Sequence, residues 1–182
     1  WPLSNDSRSK QFLKVLSNQN NELESMVQRV WGQLERLGVA DNTVIATSKS
    51  QTDMIKSQIG EHVKTIVEPE RRDTFPAIAL AASFLFSEDM VSEDEIVAVL
   101  PVDPYVDDAF FKRVLDLEKV LQTTDADLAL MGINPTYPSS KYGYIVPSSE
   151  NNGVMTVSHF KEKPSEAEAE LLINEGAIWN SG

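Results

Sequence analysis

The sequence predicts an α/β protein of three layers, with helices on both faces of a mostly parallel, mixed sheet. Three observations predict it. Continuous apolar runs, above all Ile96-Val97-Ala98-Val99-Leu100, read as strands buried on both faces, as parallel strands are. Segments with helical periodicity alternate with those runs, which is the pattern of strands joined by crossover helices. The turn signal Asn151-Asn152-Gly153 separates two β-rich segments and adds an antiparallel edge.

The elements follow in order. Residues 1–14 read as an irregular loop carrying Pro2, Lys10 and Lys14. From Asn20 to Leu37, the positions Leu23, Met26, Val27, Val30, Trp31, Leu34 and Leu37 make one helical face. Thr43 to Thr47 is a short β-branched strand. Residues 51–59 suit a short helix, and Val63 to Val67 a second strand. Thr74 to Phe86 is apolar on nearly every side, which predicts a buried helix. Ser87 to Glu95 is rich in acids and reads as a solvated loop. After the strand at Ile96–Leu100, Val106 to Leu121 is amphipathic and Leu128 to Ile133 is a further apolar strand. Tyr142 to Val146 and Val154 to Phe160 form the antiparallel pair. Ser165 to Ile173 is an acidic helix, with Ser165 and Glu168 spaced for a capping box. There is no internal repeat and no low-complexity linker, so the chain reads as one domain.

Composition narrows the function classes. The 182 residues can bury a real core, and 16 Lys+Arg against 28 Asp+Glu give 16 − 28 = −12. Such an acidic chain is a poor general binder of nucleic acid or anionic membrane, so any phosphate must be met by a few placed cations, backbone N–H groups or a metal. With no cysteine, disulfides and thiolate chemistry are excluded. The two histidines, His62 and His159, lack ligand-like spacing, which argues against a zinc site. No apolar run approaches the ~18 residues of a membrane span, and no signal peptide is visible. The cytoplasm is the expected compartment.

Several segments have the makings of a site. Asp103 follows the strongest strand in Pro101-Val102-Asp103-Pro104, and ligands of open α/β sheets bind beyond the carboxyl ends of strands. A carboxylate there can hold Mg²⁺ against phosphate oxygens. It can equally cap the helix that starts near Asp107, and position alone leaves both readings open. In Glu68-Pro69-Glu70-Arg71-Arg72-Asp73-Thr74-Phe75-Pro76, Asp73 or Thr74 would cap the next helix, whose N-terminus also suits polar or anionic ligand groups. Lys10 by itself is a solvated loop charge. Glu162-Lys163-Pro164 by itself is a surface ion pair, and Trp179-Asn180 by itself says little.

Taken in order, these segments resemble a family. Trp1-Pro2-Leu3-Ser4, Lys10-Gln11-Phe12, Glu68-Pro69, Arg72-Asp73-Thr74-Phe75-Pro76-Ala77-Ile78, Leu100-Pro101-Val102-Asp103-Pro104, Gly132-Ile133 with Pro135-Thr136, Tyr142-Gly143-Tyr144-Ile145, Phe160-Lys161-Glu162-Lys163-Pro164 and Trp179-Asn180-Ser181-Gly182 are similar, in the same sequence, to the mannose-1-phosphate guanylyltransferases. The series covers nearly the whole chain. The departures are Asp73 for an expected Asn, Pro104 for an expected His, and Ser139-Ser140-Lys141 where Thr-Gly is common.

The resemblance implies a Rossmann-like nucleotidyltransferase domain, incomplete at both ends over residues 1–182, with the glycine-rich loop before Trp1 and a smaller C-terminal domain not included. It implies transfer of a guanylyl group from GTP to mannose 1-phosphate, giving GDP-mannose and pyrophosphate, and Mg²⁺ on Asp103. Lys10 and Lys163 are then the catalytic cations. Glu68, Arg72, Asp73, Thr74 and Pro76 hold the nucleotide, and Gly143, Glu162 and Asn180 bind the sugar. A homodimer is compatible with it. Two other readings fit the same residues: a sister enzyme using UTP or dTTP with glucose 1-phosphate, and a non-catalytic paralogue that binds sugar nucleotide.

Overall fold

The computed structural model describes residues 9–88, 91–151 and 153–181, and the chain divides into two compact units, Trp1–Lys112 and Arg113–Gly182. The stretches Trp1–Ser4, Asn152 and Gly182 that the sequence reading used lie outside the described residues.

In the first unit, Lys10–Phe12 forms a single 3₁₀ turn. Strands β1 (Leu16–Ser17) and β2 (Leu23–Glu24) pair antiparallel. This pairing shortens the helix expected from Asn20: α1 runs Met26–Arg36. Its start is fixed by Ser25, whose hydroxyl accepts from Gln28 N at 3.2 Å while the Gln28 side chain accepts from Ser25 N at 3.2 Å. The amphipathic face of α1 buries Val27, Val30, Trp31 and Leu34. Strand β3 (Val44–Ser48), helix α2 (Thr52–Ile59) and strand β4 (Lys64–Glu68) follow. β3 and β4 are parallel, in register from Val44↔Lys64 to Ser48↔Glu68, so this is the strand–crossover–strand unit that the alternation predicts. Phe12, Val27, Trp31, Ile55 and Val63 form one core cluster, and Val30, Leu34 and Phe111 another, with Val102 packed against both.

Two expectations fail here. Helix α3 (Thr74–Ser87) forms where predicted, but Leu85 is its one residue classed as buried, and Phe75 is 78% exposed. Its uniform apolarity reads as burial only if other chain covers every face, and the described residues do not. Ile96–Leu100 takes no regular structure. A strand needs a neighbour for its backbone N–H and C=O groups, and no described residue pairs with this run. Among the described residues the parallel pairing is that of β3 with β4, and the larger sheet is antiparallel, so the chain is mixed α/β.

Helix α4 (Asp108–Thr123) spans the division between the units. The second unit contains β5 (Gly132–Ile133), β6 (Gly143–Asn151), β7 (Val154–Glu162), α5 (Glu166–Asn174) and β8 (Ile178–Asn180). The strands form one antiparallel sheet in the order β5-β8-β6-β7. Only Gly132–Ile133 of the expected strand from Leu128 is paired, and Leu128 is exposed. A side chain at Gly132 would collide with Ile178, so glycine permits the close approach of β5 and β8. Helix α5 opens with the expected Ser165–Glu168 capping box. It covers one sheet face through Tyr144, Val146, Ala169 and Ala177, with Leu172, Ile173 and Trp179 around them. Among the described residues, no helix is long and apolar enough to cross a membrane.

Candidate functional site

The first unit places Asp103 on a well-anchored segment. Val102 and Val106 on either side of it pack into the core. The Val106 carbonyl accepts from Gln33 Nε2 at 3.0 Å and Arg29 Nη2 at 3.2 Å, and Arg29 stacks 4.4 Å from the Tyr105 ring centroid. At the far end of the segment, Asp108 receives Arg36 through two nitrogens at 3.0 and 2.9 Å, and Gln33 at 3.1 Å. This bracket between α1 and residues 105–108 was not read from the sequence. The spacing of Gln33 and Arg36, one turn apart on α1, is its only local sign.

Asp107, not Asp103, caps α4: its Oδ1 accepts from Ala109 N at 3.0 Å and Phe110 N at 3.3 Å. That removes the capping role weighed for Asp103. Instead Asp103 Oδ2 meets the Lys10 ammonium at 3.1 Å, with the two side chains 55% and 73% exposed. Lys10 is held there by its turn. Phe12 is buried, its carbonyl accepts from Gln58 Nε2 at 3.0 Å, and Ser9 Oγ accepts from Gln51 Nε2 at 2.7 Å. A carboxylate and an ammonium far apart in sequence are thus presented together on the surface of one unit.

The hydrogen bond from Arg36 holds the Asp108 carboxyl down to about 2, with help from Gln33. A carboxyl depressed in the folded state stabilises the protein above its unfolded value near 3.8, and loses that contribution as pH falls through about 2. Because the pair is half-exposed, solvent screening keeps its worth to about 1 kcal/mol. Asp108→Asn should lower the free energy of urea unfolding at pH 7 by about that amount, seen as a lower urea midpoint, and flatten the acid limb between roughly pH 4 and 2. An unchanged acid limb would show that the pair carries no net stability.

Glu68 ends β4, Arg72 and Asp73 lie on the exposed link into α3, and Thr74 and Pro76 are exposed in its first turn. Arg72 grips Glu70 through Nη2 at 2.7 Å and Nε at 3.2 Å. Asp73 occupies the N-cap position but makes no side-chain cap bond, so the expected cap is absent and the first N–H groups of α3 are left without it. Its backbone, at φ 65° and ψ −167°, lies in a region essentially reserved for glycine, at a cost on the order of 1–3 kcal/mol. No hydrogen bond or ion pair among the described residues joins this link to Lys10 or Asp103.

The second unit brings its sequence-predicted residues together. Gly143 lies opposite Glu162 in the β6–β7 ladder, and Asn180 ends β8 beside them. A Cβ at Gly143 would stand 2.6 Å from Glu162 Oε2 and 3.7 Å from Asn180 Cβ. Directly paired residues share a sheet face, so these three lie on the face opposite the one that α5 covers with Tyr144 and Trp179. Lys163 follows with φ 42°, and its ammonium sits 3.0 Å from Glu162 Oε1. The approach to Gly143 is fixed by Tyr144, fully buried, whose hydroxyl donates to Ser139 O at 3.1 Å and accepts from Ser139 N at 2.8 Å. On the α5 side, Lys161 pairs with Glu168 at 3.4 Å, and hydrogen bonds from Ser165 hold the Glu168 carboxyl below its usual range.

Among the described residues, no three His, Cys, Asp or Glu side chains gather to hold a metal. Asp103, whose Oδ2 pairs with the Lys10 ammonium at 3.1 Å, is one exposed carboxylate; by its chemistry it could give a hard cation a single oxygen ligand, the rest coming from phosphates and water.

The family model described as "Nucleotidyl transferase" matches residues 1–182. The chain is 32% identical to the alginate biosynthesis protein AlgA of Pseudomonas fluorescens, over 100% of this chain and 38% of that protein. It is 33% identical to a putative mannose-1-phosphate guanylyltransferase of Vibrio cholerae, over 100% of this chain and 39% of that protein. The chain thus spans about two fifths of the length of these curated relatives. A crystal structure titled mannose-1-phosphate geranyltransferase, from Thermus thermophilus, superposes with a TM-score of 0.77 at 28% identity, covering 100% of this chain and 51% of that one.

Proposed function

The chain belongs to the nucleotidyl transferase family, and from that premise we propose that it transfers a guanylyl group from GTP to mannose 1-phosphate, releasing pyrophosphate. The observation that carries this reading is the meeting of Lys10 with Asp103 at 3.1 Å on anchored segments of one unit. The relatives named for mannose-1-phosphate guanylyltransfer support the choice of substrates.

An oxygen of the sugar phosphate attacks the α-phosphorus of the nucleotide. The new P–O bond forms as the bond from the α-phosphorus to the bridging oxygen breaks, and the electron pair leaves with pyrophosphate. The nucleophile is already anionic, so no general base is required. The barrier lies in bringing anions together, and catalysis is positioning with charge neutralisation. Mg²⁺, held by Asp103, would offset phosphate charge when bound. Lys10, freed from Asp103, turns its compact charge to the nucleotide phosphates. In the second unit, Lys163 supplies a further cation, and Glu162 and Asn180, beside Gly143, bind sugar hydroxyls. Glu68, Arg72, Asp73, Thr74 and Pro76 hold the nucleoside. Arg72 already occupies Glu70, which leaves the carboxylates of Glu68 and Asp73 to accept from the guanine N1–H and amino group.

Base preference tests this. A pyrimidine offers no such donor pair, and each buried polar group left unpaired costs about 1–3 kcal/mol, or roughly 5- to 150-fold. The full chain should therefore show a higher kcat/KM with GTP and mannose 1-phosphate than with UTP or dTTP and glucose 1-phosphate, measured as pyrophosphate release. Equal values with GTP and UTP would remove the guanine assignment. No release with any pair would replace catalysis with binding alone.

A further inference from the structure

A glycine beside a sugar site is ordinarily there so that a ligand can approach bare backbone. At Gly143 the vacated space is taken by the protein itself. A Cβ at 143 would stand 2.6 Å from Glu162 Oε2, closer than the 3.4 Å where ordinary contact begins. The other carboxylate oxygen holds the Lys163 ammonium at 3.0 Å, and Lys163 is set in a left-handed backbone conformation, φ 42°. The backbone under Gly143 cannot easily yield, because the next residue, Tyr144, is fully buried and bonded through its hydroxyl to both Ser139 N and Ser139 O. An added methyl group must therefore move the carboxylate.

We infer that Gly143 is a positioning residue: its missing side chain seats the Glu162 carboxylate, and through it the Lys163 ammonium, beside Asn180. This rests on the sugar-phosphate reading of the cluster given above. The exposed end of a flexible side chain moves at little cost to the fold, so a substitution at 143 acts on the geometry of the site and hardly on stability.

Gly143→Ala in the full chain tests it. Its crystal structure should show the Glu162 carboxylate displaced by about 0.8 Å or more, the difference between 3.4 and 2.6 Å. Its Tm should stay within about 2 °C of wild type. The KM for sugar phosphate should rise about tenfold, as for loss of one good hydrogen bond, with the nucleotide KM unchanged. Glu162→Ala should raise the same KM, and Gly143→Ala combined with Glu162→Ala should be no worse than Glu162→Ala alone, since no carboxylate is left to displace. An undisplaced carboxylate overturns the inference. So do costs that multiply in the double variant, which return Gly143 to direct contact with the sugar. If the wild-type chain releases no pyrophosphate with any substrate pair, the sugar reading falls, and the Gly143→Ala structure still decides whether Gly143 seats Glu162.

Discussion

Asp103→Asn should lower turnover by roughly 10²-fold or more, the scale for removing one preorganised electrostatic group from a site where charge is the obstacle. Asparagine keeps the size of the side chain and drops its charge, so Lys10 loses its partner while the segment around it remains in place. That segment is held by Val102 and Val106 in the core and by Gln33 and Arg29 on the Val106 carbonyl, none of which involves the Asp103 carboxylate. The Lys10–Asp103 pair itself is exposed, and exposed pairs contribute about 0–1 kcal/mol. The variant should therefore melt close to wild type, which separates a catalytic loss from a folding loss. It should also need more Mg²⁺ for half-maximal rate. Wild-type turnover with an unchanged Mg²⁺ requirement would refute the metal-ligand role and leave Asp103 as a surface partner of Lys10.

The sequence was most informative where local pattern and tertiary outcome agree. The β-branched run at Thr43–Thr47 and the run at Val63–Val67 appear, each shifted by one residue, as β3 and β4. The pair flanking Asn151–Gly153 appears as β6 and β7, both reaching further than the alternation showed, because the added residues, 147–151 and 161–162, are mostly exposed and lack an apolar signal. Failures came where pattern depends on partners. Ile96–Leu100 has the composition of a buried strand, yet composition cannot supply a neighbouring ladder. The start of α1 was missed although Ser25 and Gln28 have capping-box spacing, because the apolar periodicity runs on through Leu23. In the site, the grouping of Gly143, Glu162 and Asn180 rests on the family resemblance alone, since residues on three different strands share no local pattern; pairing of β6 with β7 and the close approach at Gly143 set them side by side. The choice between cap and ligand at Asp103 could not be made from position, since Asp103 and Asp107 both precede α4. Only hydrogen-bond geometry separates them.

Lys10→Ala should lower kcat by about 10²-fold, more than it raises KM for either substrate. The Lys10 ammonium pairs with Asp103 at 3.1 Å. A cation on the same carboxylate would release it, and a released lysine on a turn anchored by Phe12 can reach only nearby phosphate oxygens. Its charge matters most when the leaving pyrophosphate gains charge, so its removal weakens the transition state more than the bound ground state. The fold is indifferent to the change: Phe12, Ser9 and their partners Gln58 and Gln51 hold the turn without the ammonium. Steady-state kinetics of the full chain, with each substrate varied in turn, check the prediction. A rise in nucleotide KM with kcat unchanged would mean that Lys10 grips the nucleotide equally in ground and transition states. Unchanged kcat and KM would return Lys10 to a solvated surface charge. Lys10→Arg adds a second reading of the same point. It keeps the positive charge but replaces a compact ammonium with a planar fork, so it should recover binding more fully than turnover.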